Sequence, residues 1–130
     1  MGDLKGASVG EPLLACSPAG APAFWIVPLK AGKRVPGFAR VELNRRVAQI
    51  GRLDGAAAFF EGPSATTLAE IRTKHATAAL SKPQLSYDGS PAKWAWLVKV
   101  GEPATRFVFV TPGGWYEQPA RDDSTGRREG

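Results

Sequence analysis

The chain has 130 residues, 43% apolar and 22% charged, with 17 basic against 12 acidic side chains and a net charge of +5. That balance fits one compact domain large enough to bury a real core, and two independent domains would be too small to be comfortable. The single cysteine, Cys16, excludes an intramolecular disulfide, and the single histidine, His75, excludes a metal site built on several imidazoles.

In chain order, residues 1–10 are small and polar and are expected to be poorly ordered. Short apolar runs then predict strands at 12–16, 23–30, 37–43 and 47–53, with "AGKRVP" (31–36) and "NRR" (44–46) as turns. Alternation within 37–43 puts Ala39, Val41 and Leu43 on one face and Phe38, Arg40 and Glu42 on the other. Pro28 cannot donate to a ladder, so its strand is expected at an edge or beside a bulge. Residues 54–63 read as a connector whose short helical turn tucks Phe59 and Phe60 onto the core.

A helix is predicted over 67–80, with Thr67 and Glu70 forming a capping box and Leu68, Ile71, His75 and Ala79 forming its apolar stripe. Strands come next at 84–87, 93–100, 105–111 and 115–118. Residues 119–130, "PARDDSTGRREG", read as a disordered tail. This order predicts an α+β domain over 1–118: an antiparallel sheet built from two repeated hairpin units, with one helix packed on it.

The repeat shows in "APAFWIVPLKAG" (21–32) against "SPAKWAWLVKVG" (90–101). At an offset of 69, Pro22, Trp25, Lys30, Gly32, Phe38 and Val41 meet Pro91, Trp94, Lys99, Gly101, Phe107 and Val110. An internal duplication explains this, with unit one at 12–53, the connector and helix at 54–82, and unit two at 83–118. Chance similarity between strands is the alternative. On the repeat, Trp25, Val27 and Leu29 share a core-facing role with Trp94, Trp96 and Val98.

Motifs for chemistry are sparse. The carboxylates Glu42, Asp54, Glu61, Glu70, Asp88, Glu102 and Glu117 have no general acid and base spacing, and "TPGGW" (111–115) opens no phosphate-binding helix. His75 reads as a hydrogen-bonded boundary residue. The chain is therefore expected to be non-catalytic, without cofactor or metal. Charge is more informative: Lys30, Lys33, Arg34, Arg40, Arg45, Arg46 and Arg52 face only Glu42 between residues 22 and 53, so the positive excess lies in unit one. A basic edge made of Lys33, Arg34, Arg40, Arg45, Arg46 and Arg52 is the candidate partner-binding site, suited to an acidic protein surface or, alternatively, to nucleic acid. No stretch approaches a membrane span of about 20 apolar residues, and the opening "MGDLKGASVGEP" lacks a secretory apolar core. The expectation is a soluble chain with no membrane partner.

The stretch "ATTLAEIRTKHATAAL" and the adjoining "KPQLSYDGSPAKWAWLVKVGEPATRFVFVTPGGWYEQ" together resemble a PepSY-type module. This is the helix-plus-hairpins unit of cystatin-like shape found in bacterial peptidase propeptides. The resemblance covers 65–118 and, through the repeat, 12–53. It implies a non-catalytic module that binds, inhibits or chaperones a protein partner, often a peptidase, through hairpin loops or an exposed strand edge. Other readings open to the residues are a nucleic-acid-binding module using Arg34, Arg40, Arg45 and Arg46, and a small-ligand carrier with a cavity lined by Trp25, Trp94 and Trp96. A homodimer is also permitted by the odd cysteine and an edge strand.

Overall fold

The computed structural model describes residues 8–32, 34–52 and 57–121. Its nine strands are β1 (Ser8–Val9), β2 (Leu13–Cys16), β3 (Pro22–Ala31), β4 (Arg34–Glu42), β5 (Val47–Arg52), β6 (Gln84–Tyr87), β7 (Trp94–Gly101), β8 (Ala104–Thr111) and β9 (Gly114–Pro119), with the helix α1 (Ala65–Lys74) and a 3-10 turn (Ala57–Glu61) between β5 and β6. They form two antiparallel sheets. The first runs β1-β3-β4-β5 with β2 also paired to β3, and the second runs β6-β7-β8-β9. The α+β class stands, with two sheets rather than one.

Pro28 is fully inside β3, a central strand rather than an edge. On one side β2 stops at Leu13↔Ile26 and β1 begins at Val9↔Leu29, so Pro28 occupies the gap between them. There it accepts from the Gly10 amide at 2.8 Å through its carbonyl. A residue without an N–H is tolerated where one neighbouring strand hands over to another. Ser8 and Val9 thus belong to the sheet, although the sequence predicts no structure before residue 11.

The helix is shorter than its periodicity suggests and begins earlier. Ser64, not Thr67, is the N-cap: its Oγ accepts from the Thr67 amide at 3.1 Å. Glu70 therefore forms no capping box and instead accepts from Trp115 Nε1 at 2.9 Å. At the other end the Arg72 guanidinium donates to the carbonyls of His75 and Ala78. Leu80 forms an isolated bridge to Val100. His75 leaves helical geometry as the C-cap, Arg72 ties the segment that follows back to the last turn, and sheet pairing recruits Leu80 beyond it.

One core joins the sheets. Ala15, Phe24, Ile26 and Phe38 of the first meet Leu85 of the second, with Phe60, Trp94 and Trp96 packed among them. Ile71, Leu68 and Phe59 cover Val98, Val100, Val108 and Val110 of the second sheet. The connector thus docks Phe59 and Phe60 as the sequence predicts. The opposite face of that sheet buries Ala95, Leu97, Phe107 and Phe109. Packing continues past residue 118: the Ala120 amide donates to the Thr105 carbonyl, and its methyl group packs against Phe107 and its neighbours. The predicted tail beyond residue 121 lies outside the described residues.

The two sheets share a meander, but not at the offset the sequence suggests. Ala31 and Arg34 close the first hairpin tip, and Gly101 and Ala104 close the second, 70 residues on. A shift of one residue in a strand moves every side chain to the other face. Trp25 therefore matches Trp94 in sequence and opposes it in space: Phe24 and Ile26 face the core, whereas Trp25 is 36% exposed. The shared core-facing role of Trp25, Val27 and Leu29 is overturned.

One hydroxyl is anomalous. Ser86, fully buried opposite Ala95, leaves its Oγ without a hydrogen-bond partner among the described residues. A buried unpaired hydroxyl carries its desolvation cost with no return. Ser86→Ala is expected to leave stability unchanged or to raise it by about 1 kcal/mol. A urea midpoint that falls instead would show that the hydroxyl is paired.

Candidate partner-binding face

The register of the first sheet lays its outer side chains out in three cross-strand rows. Leu14, Trp25, Val41 and Val47 form one; Val27, Ala39 and Ile50 form the next; Val9, Leu29, Gly37 and Arg52 form the third. Apart from Arg52, every side chain in them is apolar. Many remain open to solvent: Val9 is 68% exposed, Val47 60% and Ile50 49%. Four strands wide and three rows deep, the patch covers about 400 Å² in outline. Within that outline Ala39 and Gly37 are buried, and the open apolar side chains Val9, Leu14, Trp25, Val47 and Ile50 make this face the candidate interaction surface.

The inner face of the same sheet explains why the outer one has this character. Phe24, Ile26 and Phe38 already supply the core, with Gly51 leaving room for the Phe38 ring, which lies 2.6 Å from where a Cβ would stand. The apolar residues of alternate parity have no covering layer among the described residues.

The basic residues divide into three groups. Arg34 and Arg52 are exposed at the end of the sheet that holds the β3–β4 tip, and Arg45 and Arg46 are exposed in the β4–β5 turn at the opposite end. Nine residues of β4 separate them, about 26 Å. Arg40 does not join either end. It lies on the inner face opposite Ile26, stacks over the Phe24 ring at 5.7 Å, pairs with Glu42 at 2.6 Å and donates to Gln49 at 3.2 Å. The basic edge expected from sequence thus resolves into two basic ends flanking an apolar face, and Arg40 lies apart from both on the inner face. Lys33 lies outside the described residues.

The β4–β5 turn is built to project its cations. Asn44 Oδ1 accepts from the Arg46 amide at 3.0 Å, and the Arg45 amide donates to the Glu42 carbonyl at 2.8 Å. Arg45 itself has φ +74°, a left-handed conformation uncommon outside glycine and asparagine. No acidic side chain pairs with Arg34, Arg45 or Arg46 among the described residues.

Two carboxylate clusters lie elsewhere, and sequence spacing misses both. Glu117 of β9 accepts from His75 Nε2 at 2.8 Å, Lys74 Nζ at 3.0 Å and Arg106 Nε at 3.3 Å. Burial pushes its carboxyl up, but these three partners prevail and hold it down at about 2. Asp88 accepts from Tyr116 Oη at 2.6 Å, from Gln118 at 3.1 Å and from Arg121. Burial raises that carboxyl, while Tyr116, Arg121 and Lys93 together bring it below the ordinary value. Burial and the same carboxylate push the Tyr116 hydroxyl up to about 12, so it stays a donor through neutral pH. Each cluster ties a connecting segment to β9, and neither opens onto the apolar face.

Trp25 lies on the outer face, while Trp94 and Trp96 pack in the core, so the three do not line one cavity. The apolar rows could be found from sequence only once the strand register is known. The β4–β5 ladder slips between Arg40 and Val41, which breaks the alternation of Val47 and Ile50. No helix among the described residues is long and apolar enough to cross a membrane. Comparison with family models, curated proteins and solved structures finds no match to this chain.

Proposed function

We propose that this chain is a non-catalytic binding module that docks an acidic protein partner on the outer face of its first sheet. The observation that carries the reading is the conjunction of three apolar rows with arginines at both ends. An apolar centre supplies affinity, and a charged rim steers and orients the partner. Trp25, half-open in the middle of a row, has the character of a hot-spot anchor. The resemblance to PepSY-type modules points the same way and suggests a peptidase as the class of partner.

The test uses tagged protein as bait in lysate, with and without nuclease, beside two variants. Arg34→Glu with Arg46→Glu reverses one cation at each end and avoids the left-handed Arg45. Val47→Thr with Ile50→Thr makes the rows polar while keeping β-branched side chains. We expect capture of a protein that survives nuclease and falls roughly tenfold in each variant, with both variants folded by circular dichroism. Capture that vanishes with nuclease would assign the arginines to phosphate contacts, and capture unchanged in both variants would remove the face from the function.

A further inference from the structure

The first sheet also has an open edge. β5 pairs only with β4, and none of the described residues pairs with its other side. The remaining edges among the described residues are short or blunted, β1 being only two residues long. β9 ends in Pro119 and carries the inward, ion-paired Glu117, and β2 lies against β6. From Val47 to Gly51, β5 holds neither proline nor charge. Such a strand presents a free row of amides and carbonyls to any extended segment.

The charges select the occupant. Arg45 and Arg46 stand just before β5, whose six residues span about 20 Å, and Arg34 is exposed at the far end of the sheet. Antiparallel pairing with a second copy of β5 would bring Arg45 and Arg46 of one chain to the end of the sheet that holds Arg34 in the other, and gathering like charges there is destabilising. An extended segment with acidic residues at each end and β-branched residues between meets both ends favourably. We propose that a partner of this chemistry adds as a sixth strand on β5, continuing the apolar outer face across its own alternate side chains. The proposal rests on the acidic-partner reading above and specifies how that partner binds.

The probe is the acetylated, amidated peptide EDVTVTVDE, titrated into the full chain and tracked by NMR and amide exchange. Two further versions carry N-methyl groups on alternate residues of opposite parity, and a fourth replaces the acids by lysine. The acidic peptide is expected to bind and to protect β5 amides. One N-methyl parity should weaken binding roughly tenfold and the other by no more than about twofold, because only alternate amides of an added strand face its neighbour. The lysine version should bind roughly tenfold more weakly. Equal binding of both parities, unprotected β5 amides, or no binding at ~1 mM overturns strand addition. The acidic-partner reading falls separately, when lysate capture ignores Arg34, Arg46, Val47 and Ile50.

Discussion

Trp94→Ala is expected to destabilise the fold by about 3–5 kcal/mol, a large part of the stability of a domain this size. The ring meets Phe38 edge-on at 4.9 Å, Phe59 at 5.7 Å and Phe60 at 6.1 Å. It packs against the core shared by the two sheets and against the cluster under α1, so its removal opens a void where sheet, connector and helix converge. Each lost aromatic pair adds about 0.5–1.5 kcal/mol to the transfer and cavity cost. Trp25→Ala is the matched control. Its side chain is 36% exposed and belongs to no buried cluster, so a loss of about 1 kcal/mol or less is expected. Urea unfolding of the two variants reads the difference directly. Equal losses would mean that the two tryptophans do share a face, and the 70-residue correspondence of the hairpins would then be wrong.

That contrast shows what sequence can and cannot carry here. Alternation and Gly/Pro turns locate strands well: β6 is Gln84–Tyr87, as its four-residue run predicts, and the other strands of the two units differ by at most three residues at either end. Local signals do not fix which face is buried, because a single residue of offset exchanges the faces and the tryptophan match favours the wrong one. The helix illustrates a second limit. "HATAAL" (75–80) continues a helical pattern, yet Arg72 holds the His75 and Ala78 carbonyls outside the helix and Leu80 pairs with Val100. Tertiary partners outweigh propensity differences of a few tenths of a kcal/mol per residue.

The candidate site divides in the same way. Arg34, Arg45, Arg46 and Arg52 lie in turns or at strand ends, where basic residues project into solvent, and the sequence places them there. Arg40 and Glu42 are two apart on one strand and share a face, so their pairing can be read from alternation alone. The apolar rows cannot, because each draws on three or four strands and depends on slips between Leu29 and Ala31 and between Arg40 and Val41.

Among the described residues, Glu117 gives the largest acid-range pH effect expected. Its carboxyl is held at about 2 in the folded chain, against an ordinary value of 4.5. The unfolded chain therefore takes up this proton first as pH falls, and the stabilisation is fully present above pH 4.5 and lost progressively towards pH 2. The shift corresponds to a contribution on the order of 3 kcal/mol. Lys74 and Arg106 have side chains 59% and 43% exposed and can rehydrate, so Glu117→Gln at neutral pH should cost less than a fully buried pair, roughly 2–3 kcal/mol. The variant should also flatten the fall in stability between pH 4.5 and 2. Asp88, lowered by Tyr116, Arg121 and Lys93, keeps a smaller slope in the same direction. Urea midpoints of both chains across this range decide the matter. Parallel curves would show that His75, Lys74 and Arg106 do not hold Glu117 ionised, and that α1 is fastened to β9 by its apolar contacts, the Trp115–Glu70 hydrogen bond and the Lys74–Trp115 cation–π contact.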